Sequence, residues 1–428
     1  MNDILALWTH WIHPSAGLPT VQWSLLLALA ALAGQLVTRY TGLPKILGYS
    51  AVGTLAGLAG FTGAAWPLQG IGLFLLELGV AVVLFEAGGR LSLRWFRHNP
   101  MVLVQSLAES ALTFFVVRWA MQSMGMQASL AEALALLAIV ASPAVLSRVA
   151  IDTRASGPVT DRAMVLSTLG TLYALTLGSA RAGLLRSTDA SWSSALPPVL
   201  VVLGISILVG ALLALTLRLA LLVMRPDSEN TAILLLAVIA AGAALAAHFG
   251  GSAPLATLLA GIVLKQVHPR PWAWPRQLGT ASYMLTMLMF VLVSVVAAQA
   301  DWSGPVAALV LAMAGARIMG KLVGVVLGNA GSGTSWKQSL WVGCAMSPMS
   351  SVALLLVSQY VSAWPPFGTQ VAGVALPVIL LMELLGAVMA TVALSGAGES
   401  ALSTRLGLRR FWHTPPPSST LPGATHES

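Results

Sequence analysis

The predicted fold depends on the stretch Val140-Ala141-Ser142-Pro143-Ala144-Val145 and on the similar stretch Ala345-Met346-Ser347-Pro348-Met349-Ser350. Each places a Ser-Pro pair in the middle of an otherwise apolar run. A proline lacks a backbone donor and clashes with the carbonyl one turn back, so we expect each helix to break there. In lipid a broken helix is tolerated only where the freed backbone groups face protein or a water-filled cavity.

The composition predicts a chain that lies in a membrane. Of its 428 residues, 57% are hydrophobic and only 8% are charged, and the mean hydropathy is +0.85. A soluble globular domain carries about 25% charged residues, so this class of protein is excluded. The single cysteine, Cys344, leaves no disulfide framework and no cysteine metal site. The sequence therefore predicts an all-α polytopic membrane protein with the lipid bilayer as its solvent.

Apolar runs of membrane-spanning length recur along the whole chain. A helix needs about 20 apolar residues to cross a bilayer core. By that measure we predict about 13 transmembrane helices, of which the second and the ninth are short and rich in small residues. The two Ser-Pro stretches fall in the fifth and the twelfth. The predicted spans lie near 22–41, 45–62, 70–88, 101–121, 129–150, 161–180, 195–222, 231–248, 252–267, 278–299, 303–328, 338–360 and 369–394.

The basic residues are distributed unevenly over the loops. If the N-terminus lies outside and the spans alternate, 17 of the 22 Lys and Arg residues fall on the inside. The positive-inside rule then predicts an odd number of spans, with the N-terminus outside and the C-terminus in the cytoplasm. The formal net charge of +8 is accordingly attributed to membrane orientation, and no nucleic-acid partner is predicted.

The two breaks lie about half of the chain apart. In the fifth and twelfth spans the chain runs in opposite directions, as an inverted-topology repeat requires. Interrupted hydrophobic segments at corresponding positions of two halves indicate the substrate site of a transporter. The alternative is that proline is simply common in membrane helices.

Short motifs in a fixed order carry a family resemblance. They are Leu43-Pro44-Lys45-Ile46-Leu47-Gly48-Tyr49, Glu77-Leu78-Gly79 with Leu84-Phe85-Glu86-Ala87-Gly88, Ser142 to Val149, Gly157 to Arg162, Leu259 to Leu264, Ala316 to Lys321, and Met382 to Gly386. Their order and spacing resemble the monovalent cation/proton antiporter superfamily, the Na⁺(K⁺)/H⁺ exchanger-like membrane domain, and its cation:proton antiporter-2 branch. The resemblance covers residues 22–400.

This resemblance implies a fold and an assembly. It implies an inverted repeat with two crossed, broken helices in a core domain, beside a dimerisation domain, and elevator-like alternating access with the substrate at the crossing. We place the core helices near 129–180 and 303–360. The family is also dimeric, so a homodimer is expected, in the inner membrane of a bacterium. Residues 1–21 are expected to form an interfacial segment, and 401–428 a disordered cytoplasmic tail.

The charged residues that the family usually carries at the crossing are missing from this sequence. Family members have an Asn-Asp or Asp-Asp pair on the helix after the first break, where a carboxylate binds either a proton or a cation. Gly170 and Thr171 stand at those positions. Ala141-Ser142-Pro143 replaces Thr-Asp-Pro, and Met349-Ser350-Ser351 replaces Arg-Gly-Glu. These substitutions argue against acid-based exchange in its usual form.

Three ionisable residues within spans are the candidates that remain, because a charge is costly in lipid. Lys321 matches the basic site of the family, and Arg317 lies one turn earlier on the same face. Two cations on one face predict an anion or a protein carboxylate opposite. Glu109 lies in mid-span, where the family pattern has no carboxylate, and is the candidate for a relocated proton carrier. For Lys321 the alternative is snorkelling to the inner interface.

The other four carboxylates near spans have simpler interpretations. Glu86 is expected to pair with Arg90 at i+4. Glu77 and Glu383 are expected to belong to scaffold helices, and Glu132 to be solvated near the outer surface.

Hydroxyl groups concentrate at the two breaks. With the carbonyls freed by Pro143 and Pro348, they could line a neutral polar pocket formed by Ser142, Gly170, Thr171, Ser347, Ser350 and Ser351. Hydroxyl and carbonyl oxygens suit alkali cations. The N-termini of half-helices suit an anion equally well.

Three functions therefore remain open. The first is secondary active exchange of Na⁺ or K⁺ against H⁺, with Lys321 and Glu109 in the site. The second is transport of a small anion or neutral solute between the breaks and Lys321. The third is a non-transporting regulatory or sensor protein that has lost the acid pair. No nucleophile–base pair or metal cluster is visible, so neither an enzyme nor a cofactor is expected.

Overall fold

The computed structural model describes residues 18–61, 66–68, 70–91, 96, 99–185, 192–224, 228–267, 276–349 and 351–400. The regular structure of this part of the chain is α-helical. In chain order its first eight helices are α1 (Leu18–Thr41), α2 (Lys45–Leu58), α3 (Gly70–Arg90), α4 (Met101–Ser123), α5 (Ala128–Ile139), α6 (Pro143–Thr153), α7 (Pro158–Leu184) and α8 (Trp192–Val223).

The second half continues in the same way. Its helices are α9 (Glu229–His248), α10 (Ala253–Val267), α11 (Arg276–Ala298), α12 (Gly304–Leu327), α13 (Trp336–Ala345), α14 (Ser351–Ala363) and α15 (Pro365–Gly396).

Each of the predicted spans coincides with one helix or with a pair of helices. Ten helical segments of the described chain are long and apolar enough to cross a membrane, and one of them is the pair α5–α6. The remaining three predicted spans correspond to α2, to α10 and to the pair α13–α14. The prediction of about 13 transmembrane helices is therefore consistent with the structure.

The two predicted interruptions occur at the Ser-Pro pairs. The first broken span ends its first half at Ile139 and begins its second half at Pro143, the first residue of α6. Ser142 caps α6, because its Oγ accepts a hydrogen bond from the backbone N–H of Val145 at 3.1 Å. The second broken span is interrupted between Ala345 and Ser351.

A row of glycines on α12 brings that helix against α4. A Cβ atom added to Gly320 would lie 2.7 Å from the Cα of Thr113, and one added to Gly324 would lie 2.5 Å from the Cα of Glu109. Gly328 continues the row one turn later. Small residues at four-residue spacing allow two membrane helices to approach to backbone contact. This contact places Glu109 beside the helix that carries the two intramembrane cations.

The predicted terminal segments lie mostly outside the described residues. Helix α1 begins at Leu18, within the segment 1–21 that was expected to be interfacial. Residues 1–17 and the predicted tail 401–428 are not among the described residues.

Candidate functional site

The two broken helices meet at their Ser-Pro pairs. The backbone N–H of Ser142 donates to the carbonyl oxygen of Pro348 at 3.1 Å. Pro143 and Pro348 are buried, and Ser142 is 1% exposed. The two breaks are thus joined directly by a backbone hydrogen bond at the crossing that the resemblance implied.

Arg317 ties the two breaks together. The side chain is fully buried, and its guanidinium donates to backbone carbonyls on both sides of the crossing: Ala138 (3.1 Å), Val140 (2.7 Å), Ser347 and Pro348 (3.1 Å). A guanidinium has five donors in a fixed planar arrangement, so it can satisfy several such orphaned acceptors at once. Arg317 was predicted to face an anion or a carboxylate, and the structure places it against carbonyl dipoles instead.

Lys321 meets the carboxylate that was expected opposite the cations. Its Nζ lies 2.6 Å from Oε1 of Glu109, and both side chains are 0% exposed. The same ammonium donates to the carbonyl oxygen of Ile139 at 3.1 Å. Ile139 lies four residues before Pro143, so in a continuous helix its carbonyl would face a proline, which has no N–H to donate. The alternative that Lys321 snorkels to an interface is wrong, because its ammonium is buried at the crossing.

The carboxylate of Glu109 has hydroxyl partners in addition to the ammonium. Ser110 Oγ lies 3.2 Å from its Oε2, and Thr113 Oγ1 lies 3.2 Å from its Oε1. A buried ion pair is tolerable only if its remaining hydrogen-bonding capacity is also satisfied. Ser110, Thr113 and the Ile139 carbonyl supply part of that capacity to Glu109 and Lys321.

Gly170 and Thr171, at the positions where the family carries acids, face this pair and the first break. A Cβ atom on Gly170 would lie 3.4 Å from the carbonyl oxygen of Ile139 and 3.8 Å from Oε2 of Glu109. A side chain at position 170 would therefore begin in contact with the Glu109 carboxylate. Thr171 Oγ1 lies 2.6 Å from the carbonyl oxygen of Ala141, a second acceptor freed by the break.

Two buried hydroxyl groups at the crossing have no hydrogen-bond partner among the described residues. They belong to Ser347, which was predicted, and to Ser167, which was not. Ser167 lies one turn before Thr171 on α7, and its four-residue spacing from the predicted hydroxyl is the signal that could have identified it. Ser351 is buried at the start of α14. Ser350 lies outside the described residues.

A cleft lies beside the first break. It opens between α3, α6, α7 and α11 and is lined by Glu86, Pro143, Ser147, Arg148, Met164 and Thr286. Arg148 Nη2 lies 3.4 Å from Thr286 Oγ1. Because Pro143 is among its lining residues, this cleft borders the first break.

The other intramembrane carboxylates are engaged elsewhere or exposed. Glu86 pairs with Arg90 at 2.8 Å, which confirms the i+4 prediction. Glu132 was expected to be solvated, but it is half-buried and lies 3.1 Å from Arg118 and 3.9 Å from Arg181. Both guanidiniums come from neighbouring helices, so only the tertiary fold creates this cluster.

Comparison with known proteins gives the chain a family. The model of the transmembrane sodium/hydrogen exchanger family matches residues 25–398. No curated protein matches the chain by sequence search.

Two solved structures of the sodium proton antiporter MjNhaP1 from Methanocaldococcus jannaschii have a similar fold. The structure at pH 8 gives a TM-score of 0.66 at 18% identity, over 89% of this chain and 97% of that one. An electron microscopy structure gives 0.72 at 17% identity, over 94% and 100%.

Proposed function

Because the chain belongs to the sodium/hydrogen exchanger family, we propose that it exchanges a monovalent cation, Na⁺ or K⁺, for protons across the membrane by secondary active transport. The observation that carries this proposal is the fully buried pair of Glu109 and Lys321 beside the crossing. It supplies the carboxylate that Gly170 and Thr171 cannot supply.

The buried pair gives a physical reason for coupling the two ions. Glu109 and Lys321 together are neutral, and an uncompensated charge in a low-dielectric interior is costly. A cation that binds to the Glu109 carboxylate adds one positive charge, and release of one proton from the Lys321 ammonium restores neutrality. Return of the proton to Lys321 displaces the cation. One cation therefore exchanges for one proton.

The ligands for the cation would come from groups that already surround Glu109. Hydroxyl, carbonyl and carboxylate oxygens are the donors that hard cations favour. Ser110 and Thr113 place hydroxyls within 3.2 Å of the carboxylate. Ile139 provides a carbonyl that a neutral Lys321 would no longer hold as strongly.

The remaining parts of the mechanism follow the family. The core around the breaks would move against the scaffold helices in an elevator-like cycle, and the cleft at Pro143 would be the cytoplasmic entrance. The protein would work as a homodimer in a bacterial inner membrane, with its N-terminus outside and its C-terminus in the cytoplasm.

The rival functions find less support in the geometry. An anion transporter needs a cation at the crossing whose hydrogen-bond donors are free to bind the anion. Arg317 is instead surrounded by carbonyl acceptors, and Lys321 is paired with Glu109. A non-transporting regulator would be expected to pair Lys321 with backbone groups alone.

Transport in proteoliposomes tests the proposal. A pH-sensitive dye reports proton movement while Na⁺, K⁺ and Li⁺ are supplied in turn. We expect Glu109→Gln to abolish cation-driven proton movement, because the amide has no negative charge to attract a cation or to form an ion pair with Lys321. Glu77→Gln is the matched control, since Glu77 is a carboxylate within a span but lies exposed on the outside of α3. Wild-type exchange by Glu109→Gln would contradict the proposal.

A further inference from the structure

A second buried carboxyl group lies apart from the Glu109–Lys321 pair, where α2, α11 and α15 meet. Glu383 on α15 is 0% exposed. Its Oε1 accepts a hydrogen bond from Ser50 Oγ at 2.6 Å and lies 3.5 Å from Ser294 Oγ. Its Oε2 is buried and has no hydrogen-bond partner among the described residues. Within the described part of the chain, the hydrogen-bond partners of this carboxyl group are therefore two hydroxyls, and its second oxygen has none.

The hydroxyl partners are held in place by close packing of α2 on α11. A Cβ atom on Gly53 would lie 2.7 Å from the carbonyl oxygen of Val291 and 2.9 Å from the Cβ of Ser294. Ser50 lies one turn before Gly53 on the same helix. The hydroxyls of Ser50 and Ser294 therefore lie at the same depth in the helix bundle. Ser50 and Ser294 are each 0% exposed. The site is built into the interior.

The charged and titratable groups on the helices that pack against α15 do not form an ion pair with Glu383 in the described part of the chain. Arg317 donates hydrogen bonds to backbone carbonyls, and Lys321 forms an ion pair with Glu109. The remaining such groups are Lys45 and Tyr49 on α2, Glu132 on α5, Arg148 and Asp152 on α6, Tyr283 on α11, Lys337 and Cys344 on α13, and Tyr360 on α14. Several are engaged elsewhere: Asp152 accepts the backbone N–H of Lys45 at 2.9 Å, Tyr49 bonds to Tyr283, and Arg148 stacks on the Tyr283 ring at 4.7 Å.

We propose that Glu383, with Ser50 and Ser294, forms a second proton-binding site, which is protonated in this conformation and releases its proton in another state of the protein. An ionised carboxylate without a counter-charge is strongly disfavoured in a low-dielectric interior. A bound proton makes the group neutral and leaves one oxygen to accept from Ser50. The proton adds to the carboxylate and leaves to solvent, so no other reactant is required.

Helix α15 connects this site to the crossing. One turn after Glu383, a Cβ atom on Gly386 would lie 2.7 Å from the backbone nitrogen of Pro348. The preceding residue, Met382, accepts from Arg317 Nη1 through its sulfur at 3.7 Å. A negative charge on Glu383 would weaken the packing of its side chain between α2 and α11. This would displace α15, which contacts the second break. The proton on Glu383 thereby controls exchange at the crossing, a link that rests on the proposed function.

Infrared spectroscopy of the purified full-length protein tests the proton directly. We expect a protonated-carboxyl band in the wild type that is missing in Glu383→Gln and still present in Glu109→Gln. Ser50→Ala removes the hydrogen bond to Oε1 and should shift that band without removing it, which keeps the test valid if Glu383→Gln fails to fold. A band that is unchanged in both Glu383→Gln and Ser50→Ala would overturn the proposal.

The pH profile of exchange tests the control that this proton exerts. Glu383→Gln fixes the neutral state, so we expect its exchange rate to match the wild-type rate at acidic pH. As the pH rises and the wild-type carboxyl group loses its proton, the rate of the variant should fall behind by about tenfold for each pH unit over which the wild type titrates. Identical pH profiles of the two proteins would overturn the control. If Glu109→Gln retains exchange, the proposed function fails, and the infrared result still decides whether Glu383 binds a proton.

Discussion

Glu109 and Gly170 lie on different helices, and their neighbourhood is the most informative residue-level feature of this protein. A Cβ atom on Gly170 of α7 would make ordinary van der Waals contact with the Glu109 carboxylate of α4, at 3.8 Å from its Oε2. A carboxylate carried by residue 170 would reach the same space from the other side. We interpret Glu109 as the replacement of an acid on α7 by an acid on α4.

Moving the carboxylate from position 109 to position 170 tests this interpretation. We expect Glu109→Gln combined with Gly170→Asp to recover part of the exchange that Glu109→Gln alone loses, because the new carboxylate again faces Lys321. Gly170→Asp in the wild-type background places two carboxylates together and should reduce exchange, since like charges at close range cannot both ionise. Dye-based transport in proteoliposomes measures all three variants.

The matched control for this double variant is Glu109→Gln combined with Gly183→Asp. Gly183 is also on α7, and a Cβ atom there would meet no other atom within 4 Å. Recovery by this control would show that any added carboxylate on α7 suffices. No recovery by either double variant would contradict the interpretation.

At the scale of elements, the contact of α4 with α12 positions the site. The glycine row on α12 brings Lys321 and Glu109 to hydrogen-bonding distance, although the two residues belong to helices far apart in the chain. Such a contact tolerates no side chain, because the opposing group is the backbone of α4 and cannot move as a flexible side chain would. The ion pair is therefore as sensitive to this packing as to its own charges.

Gly324→Ala tests the dependence of the site on this contact. Its Cβ atom would lie 2.5 Å from the Cα of Glu109, so the helices must separate. We expect a loss of about 1–3 kcal/mol in stability, as for overpacked cores, together with a reduced exchange rate. Thermal unfolding in detergent and proteoliposome transport measure the two effects. Gly315→Ala, on an exposed face of the same helix with no atom within 4 Å, should leave both unchanged.

At the scale of the whole molecule, the cleft beside α6 and the charge distribution make one prediction about access. The cleft is lined by Pro143 together with Arg90 and Arg148, which the positive-inside rule predicts to lie on the cytoplasmic side. Ser147 lines it and is half-buried. The crossing should therefore be reachable from the cytoplasmic side in this conformation.

Cysteine labelling in sealed vesicles checks that access. The chain has one native cysteine, Cys344, so a Cys344→Ala background is free of thiols. In it we expect Ser147→Cys to react with a membrane-impermeant thiol reagent from the cytoplasmic side only. Thr369→Cys, exposed near the start of α15, should react from the opposite side only. Labelling of both positions from the same side would contradict the predicted orientation.

Much of the fold could be predicted from the sequence. The lengths of the apolar runs predicted the spans, because a helix in lipid must satisfy its backbone hydrogen bonds internally across a fixed bilayer thickness. The Ser-Pro pairs located both breaks, because proline cannot continue a helix without losing a hydrogen bond. Lys321, Arg317 and Glu109 stood out as candidates because a charge within a span requires a reason.

The pairings were decided by the tertiary structure alone. The sequence did not show that Lys321 would pair with Glu109, or that Arg317 would bind the carbonyls of both breaks. It also did not show that Glu383 would lie against the hydroxyls of Ser50 and Ser294 and not against a cation. Each of these contacts joins residues from distant spans, and their distances depend on how closely the helices approach. Local pattern determines where a membrane helix begins, ends and breaks, whereas the partner of a buried charge is set by packing between helices.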